Sequence, residues 1–150
     1  MTSIVEATVR EEVEALHRFF VGWFSGALPR SEFEAGFLRR FDLDFVLIPP
    51  TGSLLTLDEL ADSLRTGHAT RPEFRIAIRN VKVCRVTDEQ ILATYEEWQW
   101  NAPASTPART ARITTAVFKN VEPLQWLHVH ESWMPVSGAL GERRDSHGVR

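Results

Sequence analysis

A chain of 150 residues, 43% apolar and 25% charged, has the size and composition of one globular domain, large enough to withdraw roughly 70% of its unfolded surface from water. Its 17 basic and 20 acidic residues are interspersed and leave a net charge of -3, which excludes a basic stripe of the kind that tracks a nucleic-acid backbone. No run approaches the roughly 20 apolar residues that span a bilayer, and Met1-Thr2-Ser3-Ile4-Val5-Glu6 lacks a basic segment followed by an apolar stretch, so no membrane contact and a cytoplasmic location are expected.

From Ile4 to Gly26 the apolar positions Val9, Val13, Leu16, Phe20, Trp23 and Phe24 recur at three- and four-residue spacing, with Glu11, Glu12, Glu14 and Arg18 on the other side, predicting a long amphipathic helix. Gly26 and Pro29 end it. Ser31 and Glu34 have capping-box spacing and open a second, shorter helix through Phe37 and Leu38. Asp44 to Ile48 reads as a strand stopped by Pro49-Pro50-Thr51-Gly52, with a short strand at Ser53 to Thr56 pairing back onto it. A third helix carries Leu57, Leu60, Ala61 and Leu64 and ends near Gly67.

Beyond Pro72 the period becomes two, and four strand-like runs follow at Phe74 to Val86, Ile91 to Trp100, Ala111 to Lys119 and Gln125 to Met134. Their short connections imply an antiparallel meander. Apolar parity in the first run moves from Phe74, Ile76 and Ile78 to Val81 and Val83, the signature of a β-bulge in a bent strand. The single cysteine, Cys84, excludes an internal disulfide and a cysteine zinc cluster; beside Val83 and Val86 it reads as a buried, inert thiol. The domain is expected to span residues 1–135, with 136–150 an aperiodic, flexible tail.

Helices, a short hairpin, a further helix and a four-strand sheet, closed by Trp126-Leu127-His128-Val129-His130-Glu131-Ser132-Trp133, resemble the nuclear transport factor 2-like, or SnoaL-like, superfamily. The Phe45 to Gly52 strand-and-turn and Arg112-x-Thr114-x-Ala116-x-Phe118 add to the likeness. It implies an α+β, cone-shaped fold with N-terminal helices packed on a curved, bent antiparallel sheet. The superfamily includes ketosteroid isomerases, cyclases, dehydratases and assembly domains. The chain departs from the isomerases, which place a Tyr on the first helix; Tyr95 is its only tyrosine.

Alternation across each strand assigns Leu127, Val129, Glu131 and Trp133 to the concave face, with Ile113, Thr115 and Val117, and with Leu92, Thr94, Glu96, Trp98 and Trp100. Glu96 and Glu131 are then the candidate catalytic acid and base, since two carboxylates in an apolar cavity raise at least one pKa toward neutrality. Equally, they could be solvated at the rim or paired with Arg79 or Arg112. Trp98, Thr115 and Trp133, with Phe20, Phe24 and Phe37 where the cone opens, are the candidate ligand-binding residues, although helix aromatics are ordinarily core. His17 and His68 read as surface residues.

The opposite face would carry Trp126, His128, His130 and Ser132, which in this fold implies a homodimer interface. His128 and His130 could supply two metal ligands, but a third has no anchor, so neither metal nor cofactor is expected. Two functions stand open: a small-molecule-binding, cofactor-independent isomerase, cyclase or dehydratase (an isomerase or lyase using proton transfer) on a mostly apolar substrate, or a non-catalytic ligand-binding or dimeric assembly module.

Overall fold

A computed structural model describes residues 3–102 and 109–136; of the expected C-terminal tail, all but Val136 lies outside the described residues. The first helix, α1 (Ile4–Ser25), is opened by Ser3, whose hydroxyl accepts from the Glu6 amide, and closed by Gly26 at φ 89°, a left-handed cap that glycine adopts without strain. It buries Val9, Val13, Leu16, Phe19 and Trp23 in the core. Beyond it, a 3-10 turn, the four-residue α2 (Phe33–Gly36) and a second 3-10 turn replace the expected second helix. Ser31 lies inside the first of these turns and makes no capping contact. The capping box is instead Thr56 with Glu59, at the start of α3 (Leu57–Gly67).

Six strands form one sheet: β1 (Phe41–Ile48), β2 (Leu55–Thr56), β3 (Arg75–Val86), β4 (Gln90–Trp100), β5 (Arg109–Lys119) and β6 (Gln125–Trp133), in the order β2-β1-β6-β5-β4-β3. The β3 to β6 meander is antiparallel, as expected, but β1 lies parallel to β6 and makes the sheet mixed. The final strand is therefore interior. The bulge expected in β3 is present, where register shifts between Arg79 and Lys82 and Asn80 takes φ 57°.

An aromatic stack runs through the core from Phe19 and Trp23 by way of Phe33 and Phe37 to Phe41, with successive ring centroids 4.7–6.0 Å apart. Trp23 Nε1 donates to the Leu64 carbonyl at 2.6 Å, tying α1 to the end of α3. Trp126 Nε1 donates to Glu12, whose two carboxylate oxygens also accept from Arg40 Nη1 at 2.8 Å. This anchors α1 to β6. Cys84 is exposed rather than buried: it follows the inward-facing Val83 on the edge strand, at a second register shift between Val83 and Arg85.

Candidate functional site

Between the concave face of the sheet and the two long helices lies a cavity of about 240 Å³. Phe20 and Phe24 of α1, Leu60 and Leu64 of α3, Phe74 just before β3 and Ile76 within it give it mostly apolar walls. Six titratable groups line it: His17, Tyr95, Glu97, Arg112 and Glu131 form one connected patch between α1 and the sheet, and Arg71 stands apart.

The patch starts on α1. His17 lies four residues after Val13 and three before Phe20, inside the apolar stripe, and is 5% exposed. Nδ1 lies 2.7 Å from the Val13 carbonyl and Nε2 lies 3.2 Å from a Glu97 carboxylate oxygen. Both partners are acceptors, so the ring satisfies them together only when both nitrogens are protonated. Burial pulls the His17 pKa down; the Glu97 charge and hydrogen bond and the Val13 carbonyl outweigh it and hold the pKa above its ordinary value.

Glu97 is 4% exposed. Burial favours its neutral form, but the facing charge of His17, its hydrogen bond, and the contributions of Arg112 and Gln99 hold its pKa at about 2. An ion pair at 3.2 Å is worth roughly 5 kcal/mol at an effective dielectric of about 20, enough to match the several kcal/mol that burial costs an ion. Glu97 is thus a permanent anion.

Glu131, on β6, is 8% exposed and meets Arg112 Nη1 at 2.9 Å. It has one cationic partner and a second carboxylate nearby. Burial first, then the Glu97 charge, push its pKa up to about 7 against the pull of Arg112 and His17. Tyr95 sits beside both carboxylates, and burial followed by their two charges raises its pKa well above the ordinary phenol value. The patch therefore offers a fixed anion in Glu97, two cations in His17 and Arg112, a neutral hydroxyl in Tyr95 and one carboxyl, Glu131, that exchanges its proton near neutrality. Among the described residues, no group of three or more His, Cys, Asp or Glu side chains could hold a metal ion.

No family model matches the chain. It is 26% identical over 136 residues to sucrose-phosphatase 1 of Nicotiana tabacum, covering 85% of this chain and 31% of that protein; the chain spans less than a third of that relative's length. Among solved structures it is similar to an NTF-2 like protein of unknown function from Pseudomonas aeruginosa, with TM-score 0.77, 25% identity, and 85% of this chain and 99% of that chain covered. The chain has the nuclear transport factor 2-like fold. The association domain of CaMKII from C. elegans shares that fold at TM-score 0.60 and 14% identity, with 87% and 99% covered.

In this nuclear transport factor 2-like domain the closing strand places Val129 and Glu131 inward as expected, but β4 and β5 have the opposite parity. Glu97 pairs in register with Arg112, and Tyr95 with Thr114, on the face that carries Glu131. Glu96, Trp98 and Thr115 therefore lie on the outer face: Glu96 accepts from Asn80 and from the Trp98 indole. Trp98 is covered by Arg79, whose guanidinium lies 4.7 Å from the ring. The carboxylate on the cavity wall with Glu131 is Glu97, one residue from the expected Glu96.

Phe20 and Phe24 line the cavity, whereas Phe37 is fully buried in the aromatic stack behind it. Trp133 has inward parity but stands at the end of β6, 52% exposed under the Arg112 guanidinium. Trp126, expected on the outer face, is 0% exposed and points inward, because a register shift after it reverses the alternation of β6. His128, His130 and Ser132 keep the outer face. His17, read as a surface residue, is part of the site, and His68 is half-buried, bonded to the Leu28 carbonyl at 2.8 Å with its ring against Trp23.

The signal that could have found His17 is its phase: Val13, Leu16, His17 and Phe20 occupy the first, fourth, fifth and eighth places of one helical stripe. A titratable residue there has to be paired on burial. Arg71 and Tyr95 carried no such signal.

Proposed function

We propose that this cavity binds a small, mostly apolar molecule and that Glu131 moves a proton on it in a cofactor-independent isomerisation, cyclisation or dehydration. The observation that carries the reading is a buried carboxyl on the wall of an apolar cavity, held between a cation and a second carboxylate that is already committed to His17. A general acid or base works best with a pKa near the working pH, and the environment of Glu131 supplies that. Glu97 keeps His17 charged and Glu131 protonatable, and acts as a positioning residue. Tyr95 and Arg112 are the donors available to a developing oxyanion.

The test is an activity screen of isomerisable and dehydratable apolar carbonyl compounds, with Glu131→Gln, Glu97→Gln and the outer-face control Glu96→Gln. The reading expects turnover that falls about a hundredfold or more in Glu131→Gln and is unchanged in Glu96→Gln. Full turnover in Glu131→Gln would remove its assigned role.

A second reading, an assembly module, is supported by Ile113, a large apolar side chain 41% exposed on the outer face, flanked in register by Glu96 and Ser132. It is also supported by the likeness to an association domain. The outer face, with His128, His130 and Ser132, would join a second copy, and this is compatible with an active cavity on the other side of the sheet. Light scattering of the full chain decides it: a dimer that Ile113→Lys converts to a monomer is expected, and a monomer at high micromolar concentration removes the interface.

A further inference from the structure

Arg71 differs from the other cations of the cavity. His17 faces Glu97 and Arg112 faces Glu131, whereas Arg71 has no ion pair or side-chain hydrogen bond among the described residues, and its Nε is buried without a partner. It does not extend into solvent, as a free arginine would; its guanidinium lies 4.4 Å from the Phe24 ring centroid and 5.7 Å from that of Phe74, and it lines the cavity. Its own amide donates to the Phe24 carbonyl at 2.8 Å, which fixes the loop before β3 to α1. The cation is therefore held in place by aromatic faces, with donors left over.

Charge and distance then describe an occupant. With both carboxylates ionised, the cavity still holds three cations against two anions, inside a chain whose net charge is -3. A neutral occupant would cover Arg71 and desolvate it without compensation, whereas an anion would form the charge-assisted, two-pronged contact that guanidinium geometry favours. Arg71 sits over Phe24 while the acid–base patch is bonded to His17, two turns away along α1, or roughly 10 Å of helix axis. Between them the walls are Phe20, Leu60 and Phe74.

We infer that the occupant is an amphipathic carboxylic acid, with its carboxylate on Arg71 and an aromatic or short aliphatic body that reaches the patch at Glu131. This rests on the reading of the cavity as a ligand site and names the chemical class that it takes. Arg71 is then the residue that selects acids over their neutral analogues and sets which atom of the body is presented to Glu131.

The experiment is calorimetric titration of the full chain with ω-phenylalkanoates from phenylacetate to 5-phenylpentanoate, each against its primary amide. The acid of best-fitting length is expected to bind at least about tenfold more tightly than its amide. Arg71→Met, which keeps the apolar stem, is expected to erase that ratio by weakening the acid, while the amide, relieved of the cost of covering a cation, binds at least as tightly as it does to the wild type; amide binding thereby reports that the variant is folded, and Arg71→Gln repeats the test if Arg71→Met is not. Equal binding of acid and amide by the wild type, retention of the ratio in both variants, or absence of binding throughout the acid series would overturn the inference. Glu131→Gln should still prefer the acid. A failure of the proton-transfer reading would appear only as turnover in that variant, so the two claims fail separately.

Discussion

His17 on the first helix and Glu97 on the fourth strand, 80 residues apart in sequence, meet at 3.2 Å and are both closed off from solvent. The pair joins helix to sheet on the cavity wall, and removing either member strands the other. His17→Leu is expected to destabilise the fold by roughly 3 kcal/mol, because it leaves a buried carboxylate without its partner. His17→Leu combined with Glu97→Leu should cost less than the sum of the single changes by about 1 kcal/mol or more. Urea unfolding of the four proteins measures this, and simple additivity would show that the contact contributes nothing specific.

The same contact governs the neighbouring carboxyl. Glu131 is pushed up to about 7 by burial and then by the Glu97 charge. Glu97→Gln removes that charge, so Glu131 should titrate lower than in the wild type, while Arg112 keeps its hold at 2.9 Å. Carboxyl-detected nuclear magnetic resonance titration resolves the direction. An unchanged or higher Glu131 midpoint in Glu97→Gln would mean that the two groups are not coupled.

Stability should carry the opposite pH signature from most carboxylate-rich proteins. The Glu131 pKa rises on folding from an ordinary 4.5 to about 7, so its contribution is complete below about pH 4.5 and is lost as pH rises through 7. The full swing is roughly 3 kcal/mol. His17, also raised, loses its contribution on the same side; Glu97, lowered to about 2, contributes above 4.5 and loses its share only in strong acid. Urea unfolding is therefore expected to show lower stability at pH 8 than at pH 5, with a smaller drop in Glu131→Gln. Equal pH dependence in the two proteins would exclude Glu131 as the source.

The first and third helices, the β3 bulge and the inward face of β6 at Val129 and Glu131 could be read from periodicity, because each is a local pattern. The parity of β4 could not. Leu92, Trp98 and Trp100 make one face look apolar, yet the inner face is made of Ile91, Ala93, Tyr95 and Glu97, where only Ile91 is a large aliphatic group. The tryptophans are tolerated outside because arginines cover them: Arg75 lies 4.9 Å from Trp100, and Arg79 lies 4.7 Å from Trp98. Such pairings, like that of His17 with Glu97, join residues far apart in sequence, and alternation along one strand does not contain them.

Thr114 sits between Tyr95 and Glu131 in register, is 0% exposed, and its hydroxyl has no hydrogen-bond partner among the described residues. An unsatisfied buried hydroxyl costs about 1–3 kcal/mol, and valine has the same branched shape without the polar atom. Thr114→Val is therefore expected to stabilise the fold by about 1 kcal/mol, whereas Thr114→Ala, which opens space beneath the patch, should destabilise it. Chemical unfolding of both variants at pH 5 keeps Glu131 protonated and separates this effect from the titration. If Thr114→Val instead lowers stability, the hydroxyl is bonded to ordered water, and its place is within the polar patch rather than the core.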